Sequence, residues 1–178
     1  GFDAKNTAVG YQAGGAVTEG DRNTLVGTTA GSSLTHADFN VALGEAALAA
    51  DTLGSRSTAV GRAALNAQNF TTATDTYNTA VGNNAALSVT TGTFNTLIGG
   101  LAGDATDDGV GNTAVGYNSL SANAANYNVA IGHESLLACT GTNNTSVGVV
   151  AGSNVTSGSN NIFIGRDAGL TGSPGGNI

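Results

Sequence analysis

The chain has little of what a compact catalytic domain is built from. Proline occurs once, cysteine once, and methionine and tryptophan not at all. Aromatic residues make up 5% and charged residues 10%, whereas a typical globular protein is about 25% charged. With so few large side chains a thick core is excluded. The 40% of apolar residues are supplied largely by alanine and valine, and must be buried in a thin, regular interior. Cys139 stands alone, which excludes an intrachain disulfide framework, and it reads as a small apolar residue. The basic residues are Lys5, Arg22, Arg56, Arg62 and Arg166, against twelve acids, for a net charge of −7. A phosphate backbone is held by clustered Lys and Arg, so nucleic acid is not expected as a partner. A basic amphipathic membrane helix is missing too. No apolar run is long enough to span a bilayer, and no membrane contact is expected in this segment.

Catalytic and metal-binding patterns are equally scarce. His36 falls in a variable turn and His133 just after a repeat glycine, far apart and in non-equivalent places. No Cys/His pair has metal-ligand spacing, no P-loop lysine is present, and calcium-binding G-G-x-G-x-D repeats are absent. The densest acidic spot, Asp104, Asp107 and Asp108, reads as a solvated turn. We therefore expect neither enzymatic activity nor a cofactor.

What the chain does have is glycine, 28 of 178 residues, placed with a period. The segments NTAVG (6–10), NTLVG (23–27), NVALG (40–44), STAVG (57–61), NTAVG (78–82), NTLIG (95–99), NTAVG (112–116), NVAIG (128–132), NTSVG (144–148) and NIFIG (161–165) recur in register. The closing glycines are spaced 17, 17, 17, 21, 17, 17, 16, 16 and 17 residues apart. A small residue follows three positions after each, and the unit reads N-T-A-V-G-x-x-A-(G/L) before a variable polar stretch. Residues 1–178 thus form a single repeat array. Asn177 and Ile178 open an eleventh unit, and the array is expected to continue past both ends as a piece of a longer fibre.

A 16–17-residue unit is too short for a pair of helices, which needs about 34. The β-branched N-T-A-V core predicts a strand. The glycine permits a turn with positive φ, the small residue suggests a tight corner, and a second short strand is expected in the variable half. Stacked units give an all-β parallel roll or solenoid of about ten coils.

Each row of the unit carries an expectation. Asn6, Asn23, Asn40, Asn78, Asn95, Asn112, Asn128, Asn144 and Asn161 stack as an Asn ladder, with Ser57 as the exception. Strand side chains alternate. Val9, Val26, Leu43, Val60, Val81, Ile98, Val115, Ile131, Val147 and Ile164 share one face. Ala8, Leu25, Ala42, Ala59, Ala80, Leu97, Ala114, Ala130, Ser146 and Phe163 share the other. Neither face is charged, so a lone roll would expose an apolar stripe, and the simplest cover is a parallel copy of the chain. Which face lies inside is open on sequence grounds. Our reading places Val/Ile in the roll core and the alanine row at the subunit interface.

Three further features bear on binding. The 21-residue spacing predicts an exposed loop around Phe70, Thr72, Thr74, Asp75 and Tyr77, since insertions on repeat scaffolds map to loops. Aromatics recur just before the unit at Phe39, Tyr77, Phe94 and Tyr127, as corner packing or as a surface for sugars. Thr7, Thr24, Thr58, Thr79, Thr96, Thr113 and Thr145 form a row, interrupted by Val41, Val129 and Ile162, of the kind that ice-binding solenoids display. We expect that row to be buried.

The motifs N-T-A-V-G-x-x-A and N-V-A-I-G-x-x-S resemble the YadA-like head repeats of trimeric autotransporter adhesins. NTAVGYNSL (112–120) and SNNIFIGRDAG (159–169) also resemble the repeat shafts of bacteriophage tail fibres. The resemblance covers essentially the whole chain, although the YadA-like unit is usually nearer 14–16 residues. It implies a left-handed parallel β-roll, a homotrimer, and an extracellular place on a virion or a bacterial surface. The expected function is a structural fibre or adhesin shaft that mediates attachment, with a cell-surface glycan or protein as receptor. The alternatives are a subunit of a bacterial extracellular filament and, less favoured, an ice- or sugar-binding β-solenoid.

Overall fold

The structure is a computed structural model that describes residues 4–170. The eleventh unit expected at Asn177 lies outside the described residues. Twelve short strands run in chain order: β1 (Thr7–Val9), β2 (Thr24–Val26), β3 (Val41–Leu43), β4 (Gly54–Ser55), β5 (Thr58–Val60), β6 (Thr74–Asp75), β7 (Thr79–Val81), β8 (Thr96–Ile98), β9 (Thr113–Val115), β10 (Val129–Ile131), β11 (Thr145–Val147) and β12 (Ile162–Ile164). Among the described residues there is no helix. Ten of the strands pair parallel in one sheet, in the order β1-β2-β3-β5-β7-β8-β9-β10-β11-β12. Each repeat strand therefore lies on the next, Thr7 on Thr24 and Ala8 on Leu25, and so on to Phe163 on Ser146. The result is a parallel β-solenoid of about nine turns. At about 4.8 Å per coil the sheet is roughly 43 Å long.

The second strand expected in every variable half exists at one place, where β4 pairs with β6. Elsewhere that half is turn-like but still bonded coil to coil. Ala16 N–H donates to Ser32 O (3.2 Å) and Thr35 N–H to Thr52 O (3.0 Å). Because the next coil supplies the acceptors, the main chain is paired without regular strand dihedrals.

The corner after each strand is built from two successive turns. In the second coil Ala30 N–H bonds Gly27 O and Ser32 N–H bonds Thr29 O, with Thr29 at φ 54° and Gly31 at φ 55°. Positive φ at the third residue is the mark of a type II turn. The repeat glycine is needed for space as well as for dihedral angle. Gly27 sits at φ +133°, and a Cβ there would lie 2.5 Å from Gly44 O.

Burial inverts the face assignment made from sequence. The middle residue of each strand points into the roll. Leu25, Ala42, Ala59, Ala80, Ala114, Ala130 and Ser146 are fully buried, as is Leu97. Phe163 is partly buried, and Ala8, on the first described strand, is exposed. The row expected as core points outward. Val9, Leu43, Ile98, Ile131, Val147 and Ile164 are exposed, and Val26, Val60, Val81 and Val115 are half-buried. The alanine row is thus roll core and cannot be a subunit interface. The threonine row shares the outward side and is not buried within the roll.

The reason is room. Asn and Ala sit two apart and share the inward side. The interior must also hold the small residue after the glycine and the residue after that. A second large side chain on the strand would not fit. Where the strand offers Leu97 the turn offers Gly103, and a Cβ on Gly103 would meet Leu97 at 2.8 Å. Where the strand offers Ala42, Ala59, Ala114 or Ala130, the turn offers buried Leu48, Leu65, Leu120 or Leu136. In these coils the interior is filled by size complementarity between strand and turn, as close packing demands. Ala80 faces the small Ala86, and beside Ser146 the space at Gly152 is taken by Leu136 and Phe163 of the neighbouring coils.

Candidate functional site

The asparagines form a ladder whose rungs pass through the main chain. Asn95 Oδ1 accepts from Asn112 N–H at 2.9 Å, and its Nδ2 donates across the coil to Gly109 O at 2.8 Å. The same two bonds recur at Asn23, with Asn40 N–H (2.9 Å) and Ala37 O (2.8 Å), and at Asn144, with Asn161 N–H (3.0 Å) and Gly158 O (2.8 Å). Direct amide-to-amide bonds join some rungs, such as Asn144 Nδ2 to Asn128 Oδ1 at 3.1 Å. Each amide satisfies main-chain groups in an interior where an unmet donor costs about 1–3 kcal/mol. This is a structural role.

The ladder changes hands at Ser57, beside the four-residue insertion. Asp51, wholly buried, accepts Gly54 N–H (3.1 Å), Phe70 N–H (3.0 Å) and Gln68 Nε2 (2.6 Å). Gln68 also donates to Ser57 Oγ (2.8 Å) and accepts from Asn78 Nδ2 (2.9 Å). Ser57 and Thr76 share a hydroxyl bond of 2.6 Å. This node replaces the missing amide and ties down both ends of the inserted segment. Sequence reasoning missed Asp51 and Gln68. The available signal was an adjacent polar pair in a row that elsewhere holds Val17, Leu34, Val89, Thr106, Cys139 and Val155.

Phe70, expected in the exposed loop, is buried at 7% exposure, because its N–H is anchored on Asp51. Thr74 is half-buried within β6. Residues 71–73, including Thr72, are exposed, and so are Asp75 and Tyr77.

Two exterior features remain. The first is the outward side of the ten-stranded sheet. It carries the Thr row and the Val/Ile/Leu row, two residues apart on every strand, with no charge. The rows stand about 7 Å apart and repeat every 4.8 Å or so. The two rows span roughly 300 Å² between them, within the range of a monomer's largest apolar patch, with threonine supplying most of one row.

The second is the row just before each Asn, at the edge where the chain enters the sheet. Arg22 lies over the Phe39 ring at 5.2 Å, and Arg56 covers Phe39 at 4.8 Å and Tyr77 at 5.9 Å. Tyr77 stacks on Phe94, with centroids 5.7 Å apart and planes inclined 12°. Gly111 follows, with the Tyr127 ring lying over it, and then Asn143 and Asn160. Arg22 is paired with Asp21 (3.1 Å) and Arg56 with Asp75 (2.9 Å). The Lys5 N–H bond holds the Asp21 carboxyl below its ordinary range, aided by the Arg22 charge.

The groups with catalytic potential are dispersed. His36 pairs with Glu19 at 3.5 Å, while His133 stacks on Tyr117 at 5.5 Å. Asp104 accepts from Ser121 and Asp107 from Thr90, both as coil-to-coil links. Burial pushes the Cys139 thiol pKa up, and its Sγ receives Asn144 Nδ2 at 3.4 Å. Among the described residues no group of three His, Cys, Asp or Glu could hold a metal ion, and no helix is long and apolar enough to cross a membrane. No protein-family model matches the chain, and no curated protein or solved structure is significantly similar to it.

Proposed function

We propose that this chain is a length of structural shaft, non-enzymatic and extracellular, in a fibre or adhesin on a virion or cell surface that mediates attachment. In this reading parallel copies cover one another's outward sheet face, and the family resemblance supplies the number three and the left-handed winding. The observation that carries it is the uncharged Thr and Val/Ile strip running the length of the sheet. Repetition makes that strip continuous, and a body of the same pitch is needed to cover it along all ten strands. A glycan or protein receptor would be met by the exposed residues 71–73 and Tyr77, or by parts of the fibre beyond this array. A bacterial extracellular filament would use the same face.

Sedimentation equilibrium tests the reading. The expected mass is three times the 17.2 kDa of the chain, and Val60→Lys with Val81→Lys and Val115→Lys should return it to a single chain with unchanged far-UV circular dichroism. A wild-type mass of one chain at micromolar concentration would sink the proposal. An open-ended mass distribution would favour the filament.

A second reading has one observation in its favour. The threonine row faces outward on a regular parallel sheet, and such a two-row array of β-branched side chains is suited to ordering water at an ice surface. A single-chain mass together with inhibition of ice recrystallisation, lost in Thr79→Lys, would select it.

A further inference from the structure

The outward face specifies axial register only weakly, since Val41, Val129 and Ile162 are its only departures from the Thr row. A parallel neighbour shifted by one coil, about 4.8 Å, again sets Thr and Val/Ile against Thr and Val/Ile at most positions, and Val41, Val129 and Ile162 meet side chains of similar size and no charge. Copies held by this face alone would slide, and repetitive surfaces specify register weakly. Register has to come from something beside the face that does not repeat.

The row before each Asn is such a feature. It reads cation, ring, cation, ring, ring, gap, ring from Arg22 through Phe39, Arg56, Tyr77, Phe94 and Gly111 to Tyr127. The local backbone does not ask for these side chains. Arg22, Phe39, Arg56, Tyr77, Phe94 and Tyr127 all hold φ between 51° and 65°, a left-handed conformation that costs a non-glycine residue about 1–2 kcal/mol. Asn tolerates it better, and Asn143 and Asn160 occupy the same row at φ 57° and 61°. The rings and guanidinium groups hold one another in place yet stay open to solvent, with Phe39 40%, Tyr77 51%, Phe94 57% and Tyr127 60% exposed. Aromatic and arginine side chains are the types enriched at protein–protein interfaces.

We propose that this rim row, from Arg22 to Tyr127, sets the axial register between parallel copies of the chain that pair through the outward sheet face. The inference rests on the self-association proposed above. The partner is a second copy, because a parallel copy has the same coil pitch. Shifted by a coil, the neighbour meets a cation where it met a ring.

The test uses the full chain with Cys139→Ala and Asn123→Cys, carrying a single spin label at the exposed position 123. Electron–electron distance measurements on the wild-type row should give one narrow distribution. The variant Arg22→Asn/Phe39→Asn/Arg56→Asn/Tyr77→Asn/Phe94→Asn/Tyr127→Asn makes the row match Asn143 and Asn160 at every position but Gly111, without changing its backbone demand. It should keep its circular dichroism and oligomeric mass but lose the single distance, gaining populations displaced by multiples of about 4.8 Å along the axis. Phe94→Asn alone should show the same broadening to a smaller extent, and it carries the test where the sextuple variant does not fold. A single narrow distance retained in a folded, oligomeric variant overturns the inference while leaving self-association standing. Dissociation of the variant also overturns it, by making the row the main adhesive. A wild-type single chain removes both proposals together.

Discussion

Leu97 and Gly103 share one coil, Ala114 and Leu120 the next, and the two pairs are reversed in size. The glycine of the first pair is at φ +59° beside the Leu97 side chain. The leucine of the second is at φ 52°, a strained setting for a side chain, offset by its complete burial. Gly103→Ala should cost about 2–4 kcal/mol, from over-packing together with the left-handed dihedral. Leu97→Ala should cost a similar amount by opening a cavity. The double change Leu97→Ala/Gly103→Leu rebuilds the pattern of the next coil. In urea unfolding it should lose less stability than the sum of Leu97→Ala and Gly103→Leu measured singly. Additive losses would show that the coils do not exchange volume in this way.

The repeat strand is three residues long, too short to hold a sheet by itself. Its stability comes from what surrounds it, above all the asparagine that bonds both the next strand and the far wall of its own coil. Asn95→Ala strands Asn112 N–H and Gly109 O in the interior, and should cost about 2–5 kcal/mol, read as a fall in the urea midpoint. Ser57 shows what a strand without this amide requires. Asp51, Gln68 and Thr76 take over its bonds, and they form the floor under the insertion. Asp51→Ala should therefore destabilise the chain and raise hydrogen exchange at Phe70 and Gly54, whose N–H groups it accepts. Unchanged exchange at both amides would remove Asp51 from that role.

At the scale of the molecule each coil touches mainly its two neighbours, so stability is close to a sum over coils and interfaces. Deleting residues 95–111, one 17-residue unit including β8, joins Phe94 to Asn112 and keeps every Ala/Leu pairing intact elsewhere. The shortened chain should fold, with its urea m-value lower by roughly a tenth. Deleting nine residues instead should cost far more, because the shortened coil cannot close and both of its interfaces with neighbouring coils are lost. Association belongs to this scale too, since one strand's two outward side chains offer little, whereas the same pair repeated along the sheet makes a surface.

The sequence by itself determined the period, the parallel coil-on-coil stacking, the asparagine row and the place of the irregular coil. Each of these is a translation along the chain, and repetition writes translations directly into residue spacing. It also showed that both strand faces are uncharged. It could not decide which face lies inside, because alternation is symmetric under exchange of faces and the bulkier Val/Ile row looked like the better core. That choice was made by volume in three dimensions. Ala42 and Leu48 lie six residues apart but compete for one interior, as do Leu97 and Gly103. Only the closed coil shows that the volume such residues share, with their neighbours in adjacent coils, and not the hydrophobicity of either row, decides what fits inside. The same closure brought Asp51, Gln68, Ser57 and Asn78 together from three coils, and set rings and arginines from successive coils into one rim.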